Sequence, residues 1–249
     1  IEIFRVLNEN NIVTEHPLEF IVFSNEEGGV FGSRALAGVI KEETMDVMTA
    51  SGLTNREGVF KLGGDASKIF DVARKPNAFH SFLELHIEQG ATLEESNIDI
   101  GVVQGIVGLR WWDVEITGFP NHAGTTPMNR RKDAMLAASE FSLAVNEIVN
   151  NIDGSHVGTV GRIKAFPGVP NVIPGKVILS LELRDLSNKK LDLLFKKIKE
   201  RSASIANKYK TPFEFRRISA TGEPALTSLK VQNIIEQVSN KLNLSYIRM

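Results

Sequence analysis

Leu18-Glu19-Phe20-Ile21-Val22-Phe23-Ser24-Asn25-Glu26-Glu27-Gly28-Gly29 is a near-continuous apolar run that breaks abruptly into polar and flexible residues. Such a run suits a strand buried on both faces, as in parallel sheets covered by helices. Apolar residues at helical spacing over 1–10 precede it, and short helices are expected over 33–40 and 42–48. A second buried-strand pattern follows at Phe82-Leu83-Glu84-Leu85-His86-Ile87. Residues 93–98 then lead through a turn to a strand at Gly101-Val102-Val103. Strand and helix alternate up to about residue 107, which is an α/β pattern.

From Leu109 the pattern changes. Residues 111–117 alternate like a half-buried antiparallel strand, and Gly118-Phe119-Pro120 turns the chain. Pro127, at a helix start, introduces a long amphipathic stretch over 131–149. Strands are expected over 158–165 and 177–183, a second long helix over 189–208 and a strand over 212–218. The order β-α-β-β-α-β is that of a ferredoxin-like split βαβ unit. A helix over 226–241 and a strand over 244–247 resume the first pattern. The expected architecture is an α/β domain of residues 1–107 and 220–249, interrupted by an inserted ferredoxin-like domain of residues 108–219.

The chain has 249 residues, 42% hydrophobic and 24% charged, with 29 basic against 30 acidic side chains. That length suits two modest domains, and the charge balance leaves no basic stripe for nucleic acid or a membrane surface. Asn129-Arg130-Arg131-Lys132 is too short for a patch and is expected to be the solvated first turn of a helix. No stretch is apolar for long enough to span a bilayer, and no charged-then-apolar leader opens the chain, so a cytoplasmic setting is expected. Cysteine is absent. Disulfides, thiolate metal sites and a Cys nucleophile are therefore excluded, and any metal must sit on His and carboxylates. Both ends look cut: the chain opens without Met inside an amphipathic helix and stops inside an apparent strand.

Glu26 and Glu27 stand directly after the first apolar run, at the edge where open α/β sheets place their ligands. Adjacent carboxylates repel, so they are kept together where a cation compensates or where one holds a proton. A divalent metal meets that need, with one Glu as ligand and its neighbour taking a proton from water. A solvated turn is the plainer alternative, and on these residues alone it is favoured. His86 ends the second apolar run at the same expected edge. A lone His beside an apolar strand is usually a hydrogen-bonded core residue, but this position moves the balance towards a ligand. Glu27 and His86 supply two ligands where a catalytic ion needs about three.

His122 lies in Gly118-Phe119-Pro120-Asn121-His122-Ala123-Gly124-Thr125-Thr126-Pro127-Met128, where small residues leave room for a ligand to approach the imidazole. An ordinary surface-loop His is an equal alternative. Asn171, in Pro170-Asn171-Val172-Ile173-Pro174-Gly175, and Arg184, in Leu179-Ser180-Leu181-Glu182-Leu183-Arg184-Asp185, are further polar groups at strand ends. Arg matches a carboxylate bidentately. The plain alternative for it is a salt bridge to Asp185 or to a helix-start carboxylate. His16, His80 and His156 are expected to be exposed structural residues.

Together these segments resemble the hydantoinase/carbamoylase branch of the M20 metallopeptidase family, which includes N-carbamoyl-L-amino acid hydrolases, allantoate amidohydrolases and ureidopropionases. The carriers are Ser24 to Gly28, Gly32-Ser33-Arg34-Ala35-Leu36-Ala37-Gly38, Leu85-His86-Ile87-Glu88-Gln89-Gly90, Gly118 to Met128 and Pro170 to Gly175. The resemblance implies a metal-dependent amidohydrolase that cuts a carbamoyl or ureido C–N bond in a small carboxylate substrate. It implies two divalent ions in the full-length protein, zinc or manganese with cobalt and nickel as further options. Glu26 would be the general base acting on metal-bound water, and Glu27 and His86 would be metal ligands. His122, reaching across from the partner subunit of a homodimer, would bind substrate and stabilise the oxyanion. Gln89, Asn171 and Arg184 would hold the substrate, with Arg184 on its carboxylate. The inserted domain would be the lid and dimerisation domain.

Two departures from the family accompany this. Its members carry a His and a metal-bridging Asp upstream of the segments seen here and a further His downstream, and the loop after Glu27 is shortened. A truncated chain with an incomplete metal site is therefore expected. The rival readings are a metal-free dimerisation or binding remnant of the same fold, and an aminopeptidase or amidase of the wider family.

Overall fold

The structure, a computed structural model, describes residues 1–218 and 222–249. It divides into two compact units, Ile1–His86 and Ile87–Met249. The expected domain boundary at 219/220 lies outside the described residues.

The first unit is helical where it is regular, with α1 (Glu2–Glu9), α2 (Phe31–Leu36), α3 (Glu42–Met45), α4 (Asn55–Lys61) and a 3-10 segment at Ala66–Val72. α2 stops earlier than the pattern predicted because Gly38 turns the chain at φ 69°. α4 is capped by Thr54, which accepts from the Glu57 amide while the Glu57 carboxylate accepts from the Thr54 amide, satisfying orphan donors reciprocally. A small core gathers Phe31, Ala35, Ile40 and Met45, with Val59, Ala66 and Ile69 packed on it.

The two apolar runs expected as buried strands are not strands. Residues 18–23 and 82–87 carry no strand assignment, and Phe20 is 56% and Leu85 98% exposed. A strand buried on both faces takes its ladder from neighbouring strands and its cover from helices on each side. Among the described residues no strand pairs with 18–23, and α1 borders them, with Phe4 and Arg5 lining a shallow cavity together with Leu18 and Phe20. Their apolarity is thus a property of the sequence that this unit leaves mostly exposed, with only Ile21 and Phe23 partly covered.

The second unit opens with α5 (Thr92–Ser96), β1 (Ile100–Val102) and β2 (Gly105–Ile106). Its main sheet, the helices on it and a separate two-stranded ribbon of β4 and β7 follow as β3 (Gly108–Thr117), β4 (Asn121–His122), α6 (Ala134–Asn150), β5 (Val157–Thr159), β6 (Ile163–Phe166), β7 (Val172–Ile173), β8 (Lys176–Asp185), α7 (Asn188–Tyr209) and β9 (Phe213–Arg217). β10 (Ala225–Leu226), α8 (Leu229–Lys241) and β11 (Tyr246–Arg248) close it.

The expected β-α-β-β-α-β order is present. The sheet runs β5-β8-β3-β9, with β6 also paired to β8, and β3 and β8 match antiparallel from Gly108↔Asp185 to Thr117↔Lys176. The single strand expected over 158–165 is broken into β5 and β6 around Gly161, as glycine permits in a strand. One face of the sheet presents Trp112, Val114, Ile116, Val177, Leu179, Leu181 and Leu183 to α6 and α7, all buried. α6 meets it with Ala134, Ala137, Ala138 and Ala144, whose small side chains let helix and sheet approach, and α7 with Leu191, Leu194, Ile198 and Ile205 at helical spacing. Trp112 stacks on Phe195 at 4.1 Å between ring centroids. Truncating one of these buried leucines would cost about 2–5 kcal/mol.

Alternation places the complementary residues on the opposite face, among them Trp111, Asp113, Glu115, Glu182 and Arg184. The segments on either side of this sheet pair with each other: β1 with β11 in parallel, and β2 with β10 antiparallel. No helix among the described residues is long and apolar enough to cross a membrane.

His156 departs from expectation. It is 7% exposed, and its Nε2 contacts the Val149 carbonyl at 3.0 Å near the end of α6. His16 and His80 are exposed as expected and stack on each other at 4.2 Å.

Candidate functional site

Glu26 and Glu27 sit in a tight turn of the first unit. The Val30 amide donates to the Glu26 carbonyl at 3.0 Å, and the Gly32 amide to the Ser24 carbonyl at 3.0 Å. Asn25 and Val30 are left-handed, at φ 51° and 52°. A Cβ on Gly32 would lie 2.8 Å from the Ser24 nitrogen, so the closure of this turn requires glycine there. Both carboxylates are exposed. His86 is the last residue of the same unit and is also exposed. Among the described residues, no group of three or more His, Asp or Glu side chains is placed to hold a metal ion. The donor types suit a divalent cation, but the described residues do not complete a site for one.

Gln89, in the second unit, is held left-handed at φ 57°. Its neighbour Glu88 does the holding: the carboxylate accepts from the Thr92 and Leu93 amides, both at 2.9 Å. This caps α5, and it favours a negative charge at the helix N-terminus. A Cβ on Gly90 would meet the Glu88 Oε1 at 2.8 Å. Within His86-Ile87-Glu88-Gln89-Gly90, Glu88 and Gly90 are therefore structural, and they turn Gln89 outward into solvent.

His122 and Asn171 are brought together. β4 pairs with β7 so that His122 lies opposite Val172, and the Ala123 amide donates to the Asn171 carbonyl at 2.9 Å. The Gly124 amide donates to His122 Nδ1 at 3.1 Å. An imidazole nitrogen that accepts carries no proton, so the neutral ring bears its hydrogen on Nε2. The His122 carbonyl in turn accepts from the Thr126 hydroxyl at 2.7 Å.

Arg131 braces this loop. Its Nη2 donates to the Ala123 carbonyl at 2.6 Å and its Nε to the Thr126 carbonyl at 3.1 Å. It is half-buried, which corrects the expectation of a solvated helix turn. α6 starts later, at Ala134, where Asp133 caps the Met135 and Leu136 amides. Nothing in the local sequence marks Arg131, because its partners are backbone carbonyls up to eight residues away.

Arg184 lies near the other end of β8 from this ribbon. Arg184 stands eight steps along β8 from Lys176, roughly 26 Å at the usual rise, and past Lys176 the ladder continues through the Gly118 amide on the Gly175 carbonyl to the β4–β7 ribbon. Its salt bridge is to Glu182, not to Asp185: Arg184 Nε donates to Glu182 Oε1 at 2.5 Å. Asp185 instead accepts from the Ser187 amide at 2.6 Å. The second unit therefore joins His122 with Asn171 and holds Arg184 apart from them.

The second unit is thus a mixed α/β fold whose β-α-β-β-α-β sheet carries the histidine-bearing ribbon. The chain belongs to the peptidase family M20/M25/M40, which it matches over residues 1–246, and within it to the hydantoinase/carbamoylase branch. It is 37% identical over 247 residues to the N-carbamoyl-L-amino acid amidohydrolase of Geobacillus stearothermophilus, covering 97% of this chain and 60% of that one. It is 34% identical over 261 residues to the ureidoglycolate hydrolase of Arabidopsis thaliana, covering 100% of this chain and 55% of the other. Among solved structures, an amidase of the hydantoinase/carbamoylase family from Burkholderia multivorans superposes with a TM-score of 0.90 at 30% identity, covering all of this chain and 61% of that one. The chain thus spans about 60% of the length of such relatives.

Proposed function

We propose that this chain is the larger part of an amidohydrolase that cleaves a carbamoyl or ureido C–N bond in a small carboxylate-bearing substrate. The observation that carries the reading is His122, whose Nδ1 is engaged by the Gly124 amide, leaving Nε2–H available to an oxyanion. Its support is the identity to an N-carbamoyl-L-amino acid amidohydrolase over nearly the whole chain. Both that substrate and ureidoglycolate carry a carboxylate, and Arg184 is the group proposed to bind it.

In the proposed reaction, water attacks the carbamoyl carbon. Glu26 takes the proton from the water and delivers it to the leaving nitrogen as the C–N bond breaks. His122 Nε2–H donates to the oxygen that gains charge, where a fixed donor is worth most. Gln89 and Asn171 complete the hold on the substrate. Glu27 and His86 are this chain's proposed contributions to the two divalent ions of the family, which need ligands beyond them.

A homodimer is part of the proposal. What supports it is the roughly 26 Å of strand between Arg184 and Lys176, which in one chain sets Arg184 apart from the ribbon that carries His122. A second copy would bring His122 to the Arg184 of the first, with the β-α-β-β-α-β unit as the joining and covering domain.

The test is ammonia release from an N-carbamoyl-L-amino acid by the intact, metal-loaded protein, with metal content measured alongside. Glu26→Gln is expected to lower kcat by about 10²-fold or more, the usual worth of a positioned acid–base group. Full rate in that variant would refute the assigned base. Metal-free protein without turnover would leave the binding-remnant reading, and turnover of a dipeptide alone would leave the aminopeptidase reading.

A further inference from the structure

The open face of the main sheet carries a hydrogen-bonded line of three side chains. Trp111 and Glu182 are directly opposite in the β3–β8 register, and Arg184 follows two residues along β8 on the same face. Trp111 Nε1 donates to Glu182 Oε2. Glu182 Oε1 accepts from Arg184 Nε at 2.5 Å. Glu182 is thereby spoken for on both oxygens, its side chain 25% exposed while that of Arg184 is 44% exposed.

A guanidinium has two edges that can grip a carboxylate, one through Nε and one Nη, the other through both Nη groups. Unrestrained, a glutamate two residues away on the same face would take the Nε edge bidentately. The indole N–H prevents that by holding one carboxylate oxygen to itself. The Nε is then occupied singly, and the edge made of the two Nη groups has no hydrogen bond among the described residues. Arg184 lies between Leu109 and Val157 on the neighbouring strands, so no further acid flanks it there.

We infer that Trp111 and Glu182 are positioning residues for Arg184: the indole fixes the glutamate, and the glutamate fixes the guanidinium so that its outer edge faces a substrate carboxylate. The inference rests on the proposed role of Arg184. Neither Trp111 nor Glu182 touches the substrate, so the effect falls on binding and not on the chemical step.

The experiment compares N-carbamoyl-L-alanine with N-carbamoyl-L-alaninamide, which lacks the carboxylate, in the intact, metal-loaded protein and its Arg184→Ala, Glu182→Gln and Trp111→Phe variants. Gln offers one uncharged acceptor oxygen in place of two charged ones, so Glu182→Gln is expected to weaken the hold on Trp111, on Arg184 or on both. Each of Glu182→Gln and Trp111→Phe is expected to raise KM for the carboxylate about tenfold, the scale of one charge-assisted hydrogen bond, with kcat within about twofold. KM for the amide is expected to stay as in the unsubstituted protein. The double variant should do little more than the worse single one, because the two act in one line.

If Arg184→Ala raises the carboxylate KM while both positioning variants leave it unchanged, the line is refuted and the role of Arg184 stands. If Arg184→Ala leaves that KM unchanged, the role of Arg184 fails and the inference with it. Equal losses on both substrates, or losses in kcat, would mean a structural role only and overturn the inference. Should Trp111→Phe fail to fold, Glu182→Gln alone decides.

Discussion

The Gly124 amide donates to Nδ1 of His122 at 3.1 Å, which fixes the neutral ring as its Nε2–H tautomer and aims that hydrogen away from the loop. Space beside the ring is tight at Gly124: a Cβ there would lie 3.1 Å from His122 Cε1 and 3.4 Å from Nδ1. Gly124→Ala must therefore shift the ring by a few tenths of an ångström. The expected result is a loss in kcat of about tenfold with KM little changed, smaller than the 10²–10³ that follows outright removal of an oxyanion donor. Ammonia release at saturating N-carbamoyl substrate measures it, and an unchanged kcat would show that the ring's aim is not used.

Arg131 holds the same loop from outside through the Ala123 and Thr126 carbonyls. Removing it frees two part-buried acceptors that belong to this loop, so the loss should fall mainly on the loop, which loosens. Arg131→Ala is expected to speed hydrogen exchange at the amides of residues 122–126 and to lower kcat/KM by about 10- to 100-fold. Arg131→Lys should not restore the rate, because a single ammonium cannot span both carbonyls as the planar guanidinium does. Unchanged exchange at these amides would count against the brace.

Stability against pH has a local reporter where the two long helices meet. Glu140 on α6 accepts from Lys208 Nζ at 2.5 Å and Tyr209 Oη at 2.7 Å on α7. The Lys208 ammonium first, then the Tyr209 hydroxyl, hold this carboxyl below its ordinary value of 4.5. A depressed folded value contributes stability above the unfolded value, which is lost as pH falls through the folded one. Lys208 and Tyr209 are held above 10.5 and 10.0, chiefly by Glu140, so their share is present below those values and lost as pH rises past them. Glu140→Gln is expected to flatten both limbs of the melting-temperature profile, below about pH 4.5 and above about pH 10, and to lower the plateau between. The groups are partly exposed, so salt should shrink the difference. Parallel acid limbs for the two proteins would refute the linkage.

The sheet unit was legible because its signals are local. Trp112, Val114 and Ile116 alternate with polar neighbours, and Leu191, Leu194 and Ile198 repeat at helical spacing, so each element declares its own buried face. Residues 18–23 were misread for the opposite reason. Their apolarity is real, but a doubly buried strand exists only through distant partners, and no local pattern reveals whether those are present. The site divides similarly. The small residues around His122 signalled an approachable imidazole, and Gly124 is what makes that room. Arg131, Glu88 and the Trp111–Glu182 pairing escaped notice because their partners are backbone groups or cross-strand neighbours. His156 was misjudged because its contact with the Val149 carbonyl depends on how the loop after α6 folds back.

The proposed dimer makes a prediction that no single-chain site can meet. If each site takes Arg184 from one protomer and His122 from the other, His122→Ala and Arg184→Ala damage different halves of it. Mixed after reversible dissociation, the two inactive proteins would form hybrids in half of all dimers. In a hybrid, one site combines the intact Arg184 of the first variant with the intact His122 of the second, while its twin carries both lesions. Half the dimers with half their sites restored gives about one quarter of the unsubstituted activity, as two-fold symmetry dictates. His122→Ala mixed with Asn171→Ala should recover almost nothing, because those two residues share one ribbon and would fail in the same half-site. Recovery in neither mixture, with hybrids verified by mass, would place His122 and Arg184 in the same chain's site and end the dimer proposal.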